Sequence, residues 1–456
     1  MEDLIEQGAY SLYHPEMYDF RWPVESYWQD SLPRAQRGAP LSGDESCDVA
    51  IIGGGFTGLS AALHLARDHG VDVRLLEAGA FGWGASGRNG GFCTMTPTKL
   101  STKQVILRYG LEQARAFFDS QKDGLELALA LERDEGIDFD RQGDGVFVVA
   151  HQASRYEELE TEAALLSGQF GFDTEVLPPE AFREIAHEST ESFGALLIRS
   201  GFGLHPLKYA RGLAEAAARR GAKLHPLSPV QDWSKDGETH LLETRGGRLR
   251  ARRVLLATNG FTPEGLNPAF DARTLPVISN ILTTRPLSEA ELAAQSWRTE
   301  NPLSNTRTLL FYYRLLPDRR LLFGARGDST GSPEAAERMQ AWLTRRFGEV
   351  FPAWQDVEIS HFWRGFICVT RNLTPAVGCL DEDPSVYYGF GYHGNGVNAA
   401  PWTGRALARL IAGSNSGEND LPAVFRGPAP RFPLPALRLW MLRAANLYYR
   451  HVKDKY

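Results

Sequence analysis

Val49-Ala50-Ile51-Ile52-Gly53-Gly54-Gly55-Phe56-Thr57-Gly58 is the stretch that decides the fold. Its apolar start reads as a short buried strand, the glycines turn the chain, and Leu59 to His69 carries the apolar period of a helix. A second strand, Val71 to Glu77, completes a β-α-β unit. Gly53, Gly55 and Gly58 match G-x-G-x-x-G in the setting that gives the pattern its meaning. Gly53 permits the tight turn, Gly55 lets backbone approach a pyrophosphate, and Gly58 lets helix and strand pack closely. Phe56 and Thr57 open the helix whose free N–H groups would face the phosphates. Glu77 ends the second strand, where a carboxylate accepts bonds from both ribose hydroxyls and repels a 2′-phosphate, so NADP is disfavoured. The pattern alone does not separate NAD from FAD.

The rest of the chain sets bounds. With 456 residues there is material for two domains. A net charge of −7 with no long block of one sign gives no reason to expect nucleic acid as a partner. The start, Met1-Glu2-Asp3-Leu4-Ile5-Glu6, is acidic where an export signal is basic. Val49 to Ala66 is uncharged, but three glycines with Thr57, Ser60 and His64 make it a poor membrane span. Cys47, Cys93, Cys368 and Cys379 lack C-x-x-C spacing, which suits a reducing cytoplasm and suggests no metal site.

Further along, Gly84-Ala85-Ser86-Gly87-Arg88-Asn89-Gly90-Gly91 sets small residues around one Arg and one Asn. This is either a solvated loop or a segment running against a cofactor, with Arg88 as a charged fork and Asn89 as an amide. Leu255-Leu256-Ala257-Thr258-Asn259-Gly260 ends another strand, and Tyr392-His393-Gly394-Asn395-Gly396-Val397 precedes another helix. Gly389 to Gly394 also fits G-x-G-x-x-G, but the chain beyond its helix turns Pro-rich at 428–435 instead of forming a strand with a terminal acid. No second dinucleotide site is expected there.

These motifs, in this order, resemble the D-amino acid oxidase superfamily of flavoproteins, which includes sarcosine and glycine oxidases, and within it the γ-glutamylputrescine oxidoreductases. The resemblance implies FAD as cofactor and an α/β fold: a Rossmann-like, glutathione-reductase-type FAD-binding domain with an inserted α+β substrate domain built on an antiparallel sheet. The implied division is an N-terminal arm (1–45), an FAD domain (46–99, 205–272, 360–425), a substrate domain (100–204, 273–359) and a C-terminal tail helix (426–456). It places Ala85, Ser86, Arg88, Asn89, Gly90, Gly91, Thr258, Asn259 and Gly260 beside the cofactor, Val230 at the adenine, and Gly394, Asn395, Gly396 and Val397 at the flavin ring.

The implied activity is oxidation of a C–N bond in a small amine or amino acid by hydride transfer to flavin N5, with oxygen or another acceptor taking the electrons. A γ-glutamylated or other ω-amine competes with an N-methyl or D-amino acid as substrate. A non-catalytic FAD-binding or electron-transfer subunit is the reading from another class. Four residues are candidates for contact with substrate. Tyr312 and Arg314 share one strand face, where Arg314 is either a carboxylate clamp or a solvated Arg beside core aromatics. His393 is a flavin contact, an acceptor of the amine proton, or a plain loop histidine. Arg364, in the stretch resembling the family's W-x-G strand, looks into the site or forms a structural ion pair. Cys368 is a buried small hydrophobe or a point of covalent flavin attachment. The tail, Leu437 to Tyr456, interleaves apolar and basic residues, as an amphipathic helix docked on its own protein or touching a membrane surface does.

Overall fold

The computed structural model describes residues 12–33, 38–413 and 420–454. Residues 1–11 of the arm, and Lys455 and Tyr456 of the tail, lie outside the described residues. Strands are numbered in chain order. The first sheet holds β1 (Glu45–Ile52), β2 (Val73–Leu76), β8 (Lys223–His225), β9 (Asp232–Asp236), β10 (Thr239–Thr244), β11 (Gly247–Leu256), β17 (Ala376–Cys379) and β18 (Val386–Phe390). Its main path runs β17-β18-β11-β1-β2-β8, parallel except for the edge strand β17, with β9 and β10 added as an antiparallel ribbon on β11. Val49 to Ile52 is apolar without alternation because both faces are covered. Val49 and Ile51 join one core, under helix Phe56–His69, while Ala50 and Ile52 join another with Val230 and Phe270.

Helices Pro206–Arg219 and Gly396–Ile411 flank Phe56–His69. The approach is close: a Cβ at Gly404 would stand 2.4 Å from the Thr57 carbonyl oxygen, so any side chain there would push two helices apart. Helix Thr102–Glu135 starts at a capping box between Ser101 and Gln104, breaks at Gly110 (φ 80°), and packs on Gly396–Ile411.

The second sheet holds β4 (Val146–Val149), β5 (Thr174–Leu177), β6 (Ala195–Ile198), β12 (Leu275–Thr284), β13 (Leu303–Asn305), β14 (Phe311–Leu315), β15 (Leu321–Arg326) and β16 (Ile359–Val369). Its order is β16-β12-β15-β14-β13-β4-β6-β5. The sheet is antiparallel, as expected, except that β13 pairs β4 in parallel where two distant chain segments meet. One expectation is corrected here. Strand β16, expected in the FAD domain as the start of 360–425, runs in the second sheet instead, antiparallel to β12 from Ile359 to Val369. A short ribbon of β3 (Phe92–Cys93) with β7 (Phe202–Gly203) completes the strands among the described residues.

The arm is embedded rather than merely laid on. Tyr13, Met17, Tyr18 and Phe20 form a core with Trp83, Ile278 and Phe366, and Trp28 is buried against Trp363 and Leu207. At the other end, helix Arg438–Tyr448 continues as a π-helical turn, Tyr449–Lys453.

Candidate active site in a cavity lined by both sheets

One continuous cavity of about 540 Å³ runs from the ends of β1 and β2 to the second sheet. At its first end the three glycines behave as their spacing requires. Gly53 has φ 111°, and a Cβ on it would meet the Ala257 carbonyl at 2.7 Å. A Cβ on Gly58 would stand 2.0 Å from the Gly53 carbonyl oxygen, so Gly58 serves packing and lies outside the cavity wall. Gly55, Phe56 and Thr57 line the wall, and Gly55 caps the helix without a side chain. Ser86 Oγ accepts the Phe56 N–H at 2.9 Å, tying the 85–91 segment to the helix start.

Glu77 is organised by the same turn. One carboxylate oxygen accepts the Gly54 N–H at 2.6 Å and the other the Gly79 N–H at 2.8 Å. Burial at the cavity wall raises its pKa, and these backbone donors work against that rise. Each carboxylate oxygen keeps a further lone pair for a hydroxyl donor. Pro229 and Val230 form the wall nearby.

In the middle, Ala85, Ser86, Arg88, Asn89 and Gly90 line the cavity, as do Thr258 and Asn259. Arg88 stacks on the Trp83 ring at 3.8 Å, and its Nε donates to the Trp83 carbonyl at 2.7 Å. Its Nη2 is buried with no hydrogen-bond partner among the described residues. A buried guanidinium N–H without an acceptor costs on the order of 1–3 kcal/mol, which a polar group in the cavity would recover. Asn89 is spent locally: its amide donates to the Ala85 and Ser86 carbonyls, and its oxygen accepts the Gly91 N–H. Gly91 (φ 74°) lies behind the wall, since a Cβ there would stand 1.9 Å from the Leu204 carbonyl oxygen. Asn259 Oδ1 accepts the Gly391 N–H at 2.9 Å, joining the end of β11 to the loop after β18. Gly260 sits behind this junction against Phe366 and Cys368, also out of the wall.

His393, Gly394, Asn395, Gly396 and Val397 line the far part. Asn395 donates to the Met95 and Thr96 carbonyls, at 2.9 and 2.8 Å, which holds the loop in place. Thr370 Oγ1 gives its proton to the Thr374 carbonyl at 2.6 Å, so it accepts from His393 Nε2–H at 3.1 Å. Nδ1 is therefore the bare, acceptor nitrogen, and it has no hydrogen-bond partner among the described residues. Burial first, then the charges of Lys99 and Arg326, push the imidazole pKa down to about 3. At neutral pH this holds His393 uncharged, which works against its taking an amine proton.

The four substrate candidates separate. Tyr312 lines the cavity, its hydroxyl hydrogen-bonded to Ser279 at 2.8 Å. Arg314 shares its strand face but not the cavity: Nε donates to the Gly90 carbonyl at 3.0 Å and Nη2 to the Leu204 carbonyl at 2.6 Å. With Trp363 bonded to the Arg88 carbonyl and Trp28 to the Asn89 carbonyl, Arg314 pins three successive carbonyls of the cofactor-facing loop. Arg364 turns away, donating to the Ser332 carbonyl at 3.0 Å and facing Asp328 and Glu16. Both arginines are structural because fixed acceptors reach them first. Cys368 lines the cavity, and burial pushes its thiol up to about 12.

Lys99, Arg326 and Glu162 are cavity residues that sequence reasoning missed. The Lys99 ammonium has no hydrogen-bond or salt-bridge partner among the described residues, and it repels Arg326; burial and that guanidinium hold its pKa well below the usual lysine value. Glu162, bonded to the Thr102 hydroxyl, has a carboxyl raised by burial. It sits on the Leu159–Leu166 face of helix Tyr156–Phe170, over the Val146, Val148, Leu196 and Ile198 side chains. No sequence spacing announces these three, because residues 99, 162 and 326 meet only in the fold.

A turn that tolerates no Cβ, an uncapped helix start, an acid with spare lone pairs and an orphaned Arg88 donor together fit a dinucleotide lying along the cavity. Comparison with known proteins agrees. Residues 48–410 match the family model described as DAO, FAD dependent oxidoreductase. γ-Glutamylputrescine oxidoreductase of Escherichia coli (strain K12) is 32% identical over 393 residues, 86% of this chain and 89% of that protein. Glycine oxidase of Bacillus subtilis (strain 168) is 26% identical over 391 residues, 82% of this chain and 96% of that protein. The crystal structure of glycine oxidase from Geobacillus kaustophilus superposes with a TM-score of 0.65 at 24% identity, covering 80% of this chain and 94% of that one. The chain belongs to the DAO family of FAD-dependent oxidoreductases.

Proposed function

We propose that this protein oxidises the C–N bond of a small amine carrying a carboxylate, with a γ-glutamylated or other ω-amine as the leading substrate class. The observation that carries the reading is the Lys99 ammonium, without a counter-ion among the described residues, facing Arg326 inside a cavity also walled by Tyr312 and His393. An anion bound beside Lys99 and Arg326 favours the charged form of the lysine and offsets the repulsion between the two groups.

FAD, when bound, supplies the acceptor for the hydride. The residues proposed to hold it are Gly53, Gly55, Phe56 and Thr57 at the diphosphate, Glu77 and Val230 at the adenosine, Ala85 to Gly90 with Arg88 along the middle, and Gly394 to Val397 at the ring. Helix Gly396–Ile411 starts in the cavity wall, where its N-terminal N–H groups favour negative charge. Neutral His393 offers Nδ1 as an acceptor for an N–H donor, and Tyr312 walls the reacting carbon. Leu159, Leu166, Val146, Val148, Leu196 and Ile198 give room for an aliphatic chain and exclude water, which protects the substrate imine until it leaves and hydrolyses.

The apolar reach ending near Glu162 supports an elongated ω-amine over a compact one, and the E. coli relative's name points the same way. An α-amino acid is the second reading, favoured by the closeness of Lys99 and Arg326 to His393. Free thiols at Cys47, Cys93 and Cys368 support a cytoplasmic setting, with oxygen or another small acceptor as oxidant. The test is anaerobic mixing with γ-glutamylputrescine, simple diamines, sarcosine, glycine and D-amino acids while following the flavin band near ~450 nm. Fast bleaching by γ-glutamylputrescine is expected. Bleaching by diamines that lack a carboxylate at equal rate and concentration would overturn the reading.

A further inference from the structure

The C-terminal tail carries a surface that the oxidoreductase reading does not use. Of the thirteen large hydrophobics exposed among the described residues, seven fall between Leu434 and Val452: Leu434, Leu437, Trp440, Met441, Leu447, Tyr448 and Val452. They are not scattered. From Trp440 onward they recur at 440, 441, 447, 448 and 452, the spacing that sets side chains on one helical face. Trp440 is 64% exposed, Leu447 59% and Val452 55%, which leaves most of each ring or branch in water.

The opposite face is fastened to the body. Arg438 is buried in an ion pair with Glu264, Arg443 donates to the Ser329 hydroxyl and carbonyl, and Asp454 accepts the Thr308 and Leu309 N–H groups at 2.9 and 2.8 Å. These anchors at both ends fix which face looks outward. No helix among the described residues is long and apolar enough to cross a membrane, so this one is suited to lying on a surface. The family model ends at residue 410, so the tail lies outside the unit the family model describes.

We propose that this face docks the enzyme on an anionic lipid surface. Charge decides between lipid and a second copy of the chain. By sequence the segment 434–456 carries five basic residues against the single acid Asp454, within a chain whose net charge is −7; Arg438 and Arg443 are spent on the body, which leaves Arg450, Lys453 and Lys455 at the end of the sequence. Two such helices laid face to face bring these like charges together, whereas a bilayer with anionic headgroups meets the basic C-terminal end and takes up the apolar stripe. Docking also has a geometric consequence for the site. Asp454 holds the backbone of Thr308 and Leu309, and the next residue, Leu310, is in the cavity wall.

The experiment uses the full-length FAD-loaded protein in flotation with phosphatidylcholine vesicles that carry or lack phosphatidylglycerol. The protein floats with the anionic vesicles, stays behind with the neutral ones, and is released by high salt. The Trp440→Glu/Leu447→Glu variant alters only exposed side chains away from the cavity. It keeps its flavin and its turnover on soluble substrate, and partitions onto anionic vesicles about tenfold less, or weaker still. Equal flotation of the variant, equal binding to neutral vesicles, or no flotation of the parent protein would each overturn the proposal. So would a dimer in vesicle-free solution that the variant converts to monomer, since that result gives the face to a second copy.

Discussion

Replacing Lys99 by Met separates a substrate-binding cation from a structural one, because the two readings predict opposite pairs of effects. Lys99 has no hydrogen-bond or salt-bridge partner among the described residues, and both burial and Arg326 disfavour its charge. Removing it deletes a repulsion without orphaning an acceptor, so the ligand-free protein gains stability. Water in the cavity screens the interaction, so the gain is on the order of 1 kcal/mol, or roughly 1–2 °C in a melt. Substrate binding moves the other way. A hydrogen bond between an ammonium and a carboxylate contributes about 1.5–3 kcal/mol, so KM rises roughly 10- to 150-fold. Turnover at saturation changes little if the contact is equal in ground and transition states.

The pH dependence has a definite sign. The folded pKa of Lys99 lies below its unfolded value, so the unfolded chain binds more protons and this residue's contribution to stability grows as pH rises toward about 10.4. A bound carboxylate raises that pKa again, so binding takes up a proton and affinity falls as pH rises from the ligand-free value toward the liganded one. Lys99→Met removes both slopes. Thermal melts of the ligand-free protein and steady-state kinetics with γ-glutamylputrescine measure the pair. A lower melting temperature with unchanged KM would refute the reasoning and make Lys99 a packing residue.

Gly58→Ala drives a Cβ into the Gly53 carbonyl oxygen at 2.0 Å, so the purified variant is expected to be colourless or to lose FAD on gel filtration, read from its visible absorbance. Arg314→Met leaves the Gly90 and Leu204 carbonyls without donors; a loss of about 3 kcal/mol in urea unfolding is expected, with KM moving less than in Lys99→Met. Arg364→Gln leaves KM unchanged, since its guanidinium faces Ser332 and Asp328 outside the cavity. Acid precipitation releases all yellow colour to the supernatant, because burial keeps Cys368 as a thiol with pKa near about 12; colour retained in the pellet would show a covalent link.

The turn from Gly53 to Gly58 and its link to Glu77 were legible because they are local. The Gly58–Gly53 close approach, the helix start and the Gly54–Glu77 contact each span no more than 23 residues, and each leaves a periodicity or a required residue type in the chain. Strand parity was legible too: alternation put Tyr312 and Arg314 on one face and Tyr313 on the other, and the fold turns the Tyr312 side toward the cavity. What parity cannot contain is where a long side chain ends. Arg314 shares that face, yet its guanidinium is captured by carbonyls 224 and 110 residues away. The placement of β16 likewise depended on its antiparallel partner, Leu275–Thr284, and not on its own apolar pattern, which suits either sheet. The meeting of Lys99, Arg326 and His393 is the extreme case. Charge in a sequence marks only which groups carry it; whether that charge is solvated, paired or left facing a cavity depends on distances and dielectric, and those exist only once the chain has folded.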